Sequence, residues 1–152
     1  PDAPGRVYAA AGDGYAESDD GGESWDHPQS GLDHRYVWGL AVDPGDPDTV
    51  FVSAASGANA AHRRGESYVY RRRVGDEWER IGEGRSTGEG LPTGEGVFRA
   101  VLAPGVEPGE LYASNNHGLF RTTDAGESWS RLDVEWPAAL ERQAPRGLAV
   151  VG

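Results

Sequence analysis

Short apolar runs recur along the chain, and residues that favour turns (Gly, Pro, Asp and Ser) separate them. The runs are rich in valine, alanine, leucine and aromatic residues, which is typical of β-strands. Two sets of runs resemble one another internally. The first comprises residues 37–42, 97–102 and 145–150, and the second comprises residues 6–10, 49–53 and 110–114. This pattern predicts an all-β chain.

A third set of segments aligns without gaps, and each member ends in tryptophan. The set comprises residues 14–25, 67–78 and 118–129, whose tryptophans lie 53 and 51 positions apart. Further short strands are predicted at residues 23–26, 77–81 and 127–132. Every repeat therefore has four strands, named A, B, C and D in chain order. Four-stranded sheets repeating about every 50 residues are typical of a β-propeller.

The repeats are offset from the two ends of the chain. Residues 146–151 match a strand A, and residues 1–10 match the A–B loop and strand B that follow it elsewhere. We therefore expect one domain, residues 1–152, with three antiparallel blades. They are blade 1 (strands B to D in residues 6–27, completed by a strand A equivalent to 146–151), blade 2 (36–81) and blade 3 (97–132). The Gly-rich stretch 82–96 predicts a long loop.

A polar motif of the form Ser/Thr-x-Asp-x-Gly-x-Ser-Trp occurs in the first and third repeats. It is formed by Ser18, Asp20, Gly22, Ser24 and Trp25, and again by Thr122, Asp124, Gly126, Ser128 and Trp129. It resembles the Asp box, also called the bacterial neuraminidase repeat. The gap-free alignment leaves Gly75 and Trp78 of the motif in the middle repeat, with Arg71, Arg73 and Glu77 at the other positions. The chain is thus similar to the propellers of sialidases, sortilin-type receptors and photosystem II assembly factors.

The resemblance implies that the motif is structural and lies at the blade periphery, away from any active site. The carboxylates of Asp20 and Asp124 are expected to accept backbone N–H bonds and fix the C–D turn. The equivalent glycines are expected to supply positive φ angles. We expect the three tryptophans to be buried against the blade sheets.

Three blades are too few for a closed ring, because propellers have about four to eight. An open arc exposes two apolar blade faces. We therefore expect a head-to-tail homodimer with six blades, in which residues 146–151 of one copy complete blade 1 of the other. A fragment of a longer propeller and a nine-bladed trimer remain as alternatives.

The composition limits the classes of partner. The net charge of −11 argues against binding to nucleic acid, and no apolar run is long enough to span a membrane. All 14 basic residues are arginine, which resembles the proteins of salt-loving archaea; a GC-rich genome is the alternative explanation. The chain has no cysteine, and its histidines lack the spacing of a metal site, so no metal or cofactor is expected. The compartment is not indicated.

Most of the basic and aromatic residues that could recognise a ligand fall in the B–C and D–A loops, on one face of the propeller. The candidate ligand face comprises Arg35, Tyr36, His62, Arg63, Arg64, Arg99, Asn116, His117, Trp136 and Arg146. Such residues recognise glycans or acidic peptides. The sequence therefore favours a non-catalytic scaffold that binds a protein or a glycan. The alternatives are a sialidase-like glycoside hydrolase, and an excised or designed half-propeller without a ligand.

Overall fold

The computed structural model describes residues 3–82 and 90–151, and antiparallel β-strands dominate it. The strands are β1 (Val7–Ala11), β2 (Gly14–Ser18), β3 (Tyr36–Asp43), β4 (Asp46–Ala55), β5 (Glu66–Arg73), β6 (Glu79–Ile81), β7 (Gly94–Glu95), β8 (Val101–Pro104), β9 (Leu111–Asn115), β10 (Gly118–Thr122) and β11 (Ser130–Arg131). Two short helical turns, Ala60–Arg64 and Ala138–Arg142, lie outside the sheets. No helix within the described ranges is long and apolar enough to cross a bilayer. The all-β class expected from the sequence is confirmed.

The strands form three sheets that follow one another along the chain. Strands β3 to β6 make a four-stranded meander in blade 2, and β8 to β11 make another in blade 3. In blade 1, β1 pairs with β2, and a single bridge between Glu17 and Asp26 represents strand D. Strand β7 pairs with the start of β5. Residues 83–89 of the predicted Gly-rich loop lie outside the described residues.

The strands of blade 2 contact both neighbouring blades. On one face, Val52 and Tyr70 pack in a buried cluster with Tyr15 of blade 1. On the opposite face, Phe51 packs in a second buried cluster with Trp129 of blade 3. Because successive side chains of a strand point to opposite faces, Phe51 and Val52 serve different interfaces. The hydrophobic core therefore consists of side chains packed between neighbouring blades.

Hydrogen bonds join blades 2 and 3 around one buried peptide. The carbonyl of Ala100 accepts a bond from Ser53 Oγ at 2.7 Å and from Trp38 Nε1 at 3.0 Å. The Ala100 N–H donates to Ser67 Oγ at 3.0 Å. All three side chains belong to blade 2, so they satisfy backbone groups of blade 3 that would be costly to bury unpaired.

Strand A of blade 3 begins later than the sequence predicts. The expected strand covered residues 97–102, whereas β8 is Val101–Pro104. The N–H of Phe98 donates to Asn116 Oδ1 at 2.7 Å, and Arg99 has a φ of 28°. These two features interrupt the extended backbone that a ladder of hydrogen bonds requires.

The first C–D turn (residues 18–25) and the third C–D turn (residues 122–129) have the same conformation. In the first, Ser18 Oγ donates to Asp20 Oδ1 at 2.7 Å and accepts from the Gly22 N–H at 2.9 Å. The carboxylate of Asp20 accepts bonds from the N–H of Ser24 at 2.9 Å and from its hydroxyl at 2.6 Å. The corresponding bonds of the third turn join Thr122, Asp124, Gly126 and Ser128. The glycines in question have φ angles of 95° and 86°.

The gap-free alignment of the middle repeat is wrong by one residue. The residue after each tryptophan pairs with strand C, and its partners in blades 1, 2 and 3 are Glu17, Arg71 and Arg121. These three positions are therefore equivalent. Arg72, rather than Arg71, occupies the position of Ser18 and Thr122, and the turn leading to Trp78 is one residue shorter.

Arg72 replaces the hydrogen bonds of the motif with an ion pair to blade 1 and two contacts within its own turn. Its side chain is 5% exposed, and Nη1 lies 2.8 Å from the carboxylate of Glu17 in blade 1. Its Nε donates to the carbonyl of Asp76 at 2.8 Å, and its guanidinium lies 5.9 Å from the ring centre of Trp78. The middle turn thus depends on blade 1 for part of its structure.

The expectation of three buried tryptophans is wrong for Trp25. Trp78 and Trp129 are 4% and 5% exposed, whereas Trp25 is 40% exposed. Trp78 meets Tyr15 of the preceding blade edge to face, with ring centres 4.9 Å apart. Trp129 is covered by Phe51 of its preceding blade. Among the described residues no blade precedes blade 1, so Trp25 has no equivalent cover.

Candidate ligand-binding cleft

A cleft of about 490 Å³ opens at the end of the molecule where β3 and β8 begin. It lies between the helical turn after β4, the residues that lead into β8, and the segment that follows the last helical turn. Its lining residues are His62, Arg99, Gln143, Ala144, Pro145 and Arg146. Three members of the predicted ligand face, distant in sequence, therefore share one cleft.

Arg99 is the most unusual residue of this cleft. Its φ of 28° lies in the left-handed region, which residues other than glycine rarely adopt. Its Nε is buried and has no hydrogen-bond partner among the described residues. The guanidinium carbon lies 5.5 Å from the ring centre of Trp38, a cation–π contact that orients the group. Strained backbone and unpaired buried donors are concentrated at functional sites.

Two further rings adjoin Trp38 in a row, and the last of them, His62, lines the cleft. The rings of Trp38 and Tyr36 lie 5.9 Å apart, and those of Tyr36 and His62 lie 5.5 Å apart at 80°. Tyr36 Oη is 2.7 Å from His62 Nε2, so the two side chains share a hydrogen bond. Tyr36 and Trp38 pack against a buried alanine cluster, so the row fixes the position of His62 at the cleft.

The electrostatics of the cleft contrast with those of the whole chain. The net charge is −11, yet the charged or titratable side chains that line the cleft are His62, Arg99 and Arg146. No carboxylate from the described residues lines it. A local concentration of positive charge attracts anions and orients them. The arrangement is therefore suited to a ligand that carries a carboxylate or another anionic group.

Other predicted basic residues lie outside this cleft. Arg35, Arg63 and Arg64 are exposed. Arg64 lines a separate, smaller cavity of about 220 Å³ together with Glu66 and Glu95. Because two carboxylates accompany this arginine, its surroundings are not selectively cationic.

The predicted residues of blade 3 form a structural anchor beside the cleft. Asn116 is 4% exposed, and its Nδ2 donates to the carbonyls of Gly96 at 3.0 Å and Glu141 at 3.2 Å. Trp136 Nε1 donates to the carbonyl of Asn116 at 3.0 Å. His117 is exposed at the tip of the same turn. The amide of Asn116 is thus already engaged with backbone groups.

Sequence reasoning missed Gln143, which lines the cleft. Trp38, which contacts Arg99, has the same place in its predicted strand A as Phe98 and Arg146 have in theirs. Gln143 follows the helical turn Ala138–Arg142, for which the sequence carries no clear signal. Within residues 3–82 and 90–151, no group of three or more His, Asp or Glu side chains is arranged to hold a metal ion.

Comparisons with known proteins show similarity only to solved structures, since no family model and no curated protein matches the chain. An ancestral GH74 enzyme matches with a TM-score of 0.59 and 16% identity over 87% of this chain. The GH74 xyloglucanase from Xanthomonas campestris matches with a TM-score of 0.58 and 23% identity over 89%. YCF48 bound to D1 peptide matches with a TM-score of 0.55 and 14% identity over 84%.

These similarities establish the fold, and the predicted β-propeller architecture is confirmed at that level. The chain spans only 17%, 20% and 36% of the length of the three structures, in the order given. The matched structures include glycoside hydrolases and a peptide-bound protein, so the fold alone does not select an activity.

Proposed function

We propose that this chain is a non-catalytic propeller module that binds an acidic protein segment or glycan in the cleft of His62, Arg99 and Arg146. The observation that carries the proposal is Arg99, whose backbone is strained and whose buried Nε has no hydrogen-bond partner among the described residues. Its guanidinium can donate two parallel bonds to a carboxylate. Arg146 adds a second cation, and the imidazole of His62 and the amide of Gln143 add polar groups.

A peptide ligand has support from one of the similar structures. YCF48 has been solved with a D1 peptide bound, so a protein of similar fold accepts a peptide. The cleft described here is open to solvent and has a volume sufficient for a few residues of such a segment.

A sialidase-like glycoside hydrolase is the second candidate. An arginine group that binds a substrate carboxylate is compatible with it, and two of the similar structures are GH74 enzymes. Most glycoside hydrolases use two carboxyl groups, whereas sialidases use a tyrosine nucleophile, which needs a partner glutamate. No carboxylate of the described residues lines the cleft. Tyr36 bonds to His62 rather than to a glutamate. A half-propeller without any ligand is the third reading.

We also assign the first and third C–D turns to the Asp box, in a structural role. Their matching hydrogen bonds support this assignment. The proposal further includes a six-bladed homodimer, with residues 146–151 completing blade 1 of the second copy. It also includes adaptation to high salt, which the lysine-free composition and the net charge of −11 support.

The ligand proposal can be tested with a fluorescein-labelled hexaglutamate peptide and with sialyllactose. We expect at least one of them to bind the unmodified chain, and Arg99→Ala to weaken that binding about tenfold or more. Arg63→Ala is the matched control, because Arg63 is an exposed arginine outside the cleft. Equal loss in both variants, or no binding of either probe, would remove the assigned site. Hydrolysis of a fluorogenic sialoside that Tyr36→Phe abolishes would favour the hydrolase instead.

A further inference from the structure

We infer that two copies of this chain dock through blades 1 and 3. The outer face of blade 1, which is the face turned away from blade 2, contacts the outer face of blade 3 in the second copy, which is likewise the face turned away from blade 2. Trp25 is the anchor of this contact, and Glu23 and Arg121 form an ion pair across it. The inference rests on the proposed closure of the ring by a second copy. The residues of this contact, called the seam, are equivalent to those that join blades 2 and 3 within the chain.

The contact between blades 2 and 3 has an apolar part and an ionic part. Trp129 and the adjoining Gly126 lie against blade 2, where a Cβ on Gly126 would stand 2.9 Å from Ile81 Cδ1. At the edge of this contact, Arg71 Nη1 donates to the carbonyl of Ala125 at 2.6 Å, and Nη2 lies 2.7 Å from the carboxylate of Glu127. One arginine of blade 2 thus clamps the C–D turn of blade 3.

Blade 3 repeats this docking surface on its outer face. Tyr112 pairs with Arg121 in the same register as Phe51 pairs with Arg71 in blade 2. The next apolar positions of the surface are Leu119 and Leu132, joined by a backbone bond of 2.8 Å. No blade among the described residues follows blade 3, and the side chain of Arg121 is 43% exposed and bonds Glu110 of its own blade.

Blade 1 carries the complementary half of the contact. Its C–D turn has the same hydrogen bonds as the turn that docks on blade 2, and it places Gly22, Glu23 and Trp25 where blade 3 has Gly126, Glu127 and Trp129. A Cβ on Gly22 would meet only the indole of Trp25, and Trp25 itself is 40% exposed. Val7, on the same face of this blade, is 37% exposed.

The two halves complement each other in charge as well as in shape. Repeating the internal contact brings Arg121 of one copy to Glu23 of the other, as Arg71 meets Glu127 within the chain. The two halves lie on blades 1 and 3 of one chain, so a second copy can cover both of these exposed faces at once. Such a head-to-tail contact closes after two copies if each contributes three blades of a six-bladed ring.

Strand pairing adds to the same seam. Residues 147–150 pair with no strand among the described residues, and blade 1 has no strand A. In blade 2, the equivalent strand runs beside strand B through the pairs Gly39↔Ser53 and Leu40↔Val52. Segment 147–150 of one copy would therefore cover β1 of the other and remove an open sheet edge.

Light scattering of the complete chain in molar KCl tests the inference. We expect a mass twice that of the 16.2 kDa chain. Trp25→Ala should weaken the dimer about 30-fold or more, as expected for a buried aromatic anchor. Glu23→Arg should also dissociate the dimer by setting two arginines against each other, and adding Arg121→Glu should restore it.

Asp76→Arg is the matched control. Asp76 lies two residues before Trp78, as Glu23 lies two residues before Trp25, but its blade is already covered on both faces within one chain. It should leave the mass unchanged. A monomer for the unmodified chain would overturn the ring closure and the seam together. A dimer that persists in Trp25→Ala and Glu23→Arg would overturn the seam but not the dimer. Peptide binding through Arg99 is measured separately, so its loss would leave this result intact.

Discussion

The first and third C–D turns share their hydrogen bonds but differ in how well their tryptophans are covered. In both turns an aspartate accepts bonds from the N–H and the hydroxyl of a serine four residues later. Trp129 is nevertheless 5% exposed, whereas Trp25 is 40% exposed. The local sequence therefore determines the shape of the turn, and the adjoining blade determines the environment of the ring.

The largest expected difference between the two turns comes from removing their tryptophans. Trp129→Ala should lower the free energy of unfolding by about 3–5 kcal/mol, because it opens a cavity between two blades. Trp25→Ala should cost about 1 kcal/mol or less in dilute solution, where no second copy covers the ring. Urea unfolding followed by circular dichroism measures both values. Similar losses in the two variants would show that exposure does not distinguish the rings.

The glycines of the same turns provide a sharper version of the comparison. Both have positive φ, so an alanine at either position is strained by about 1–2 kcal/mol. A Cβ on Gly126 would also stand 2.9 Å from Ile81 Cδ1 and 3.0 Å from Phe51 Cε1, whereas Gly22 faces no other blade. Gly126→Ala should therefore cost about 2–4 kcal/mol and Gly22→Ala about 1–2 kcal/mol. Thermal unfolding of the two variants should rank them in this order, and the reverse order would contradict the packing argument.

Acid should affect the two turns alike, because their hydrogen bonds are alike. The bonds from Ser24 and Ser18 lower the pKa of Asp20. Burial raises the pKa of Asp124, but the bonds from Ser128 and Thr122 outweigh it and lower the pKa below its ordinary value. An aspartate has a pKa of about 3.9 in the unfolded chain. When folding lowers that pKa, the carboxylate stabilises the folded state at pH values above about 3.9, and this contribution is lost as the pH falls further.

Unfolding in urea between about pH 5 and pH 2 can detect this loss. Asp124→Asn should be less stable than the unmodified chain at neutral pH and should lose less stability on acidification. Glu110, whose pKa is lowered to about 2 by the N–H bond from Val106 and the Tyr112 hydroxyl, contributes equally in both proteins. Identical acid profiles for the two proteins would show that Asp124 does not contribute to the pH dependence.

The sequence was sufficient for the fold because the repeats are regular and local. Short apolar runs and recurring tryptophans predicted the sheets and their order. The sequence did not predict the one-residue deletion before Trp78. Residues 71, 72 and 73 are all arginine, so the residue types do not show which of them aligns with Ser18. Strand pairing, rather than spacing, shows that Arg72 takes the place of Ser18.

The cleft was only partly predictable, because it depends on contacts between distant segments. The loops that carry His62 and Arg146 were assigned to one face from the propeller pattern. The strained conformation of Arg99 follows from the path of the chain into β8. The engagement of Asn116 with the carbonyls of Gly96 and Glu141 likewise requires the folded loops. Neither feature has a signature in residue types alone.

The bonding around Ala100 has a mechanical consequence. Three side chains from three strands of blade 2 hold one peptide of blade 3. A force that pulls the two blades apart loads these bonds in parallel, so they must break together rather than one after another. The pair of blades is therefore expected to behave as one rigid body under load, and to yield first at the less firmly bonded edges of the arc.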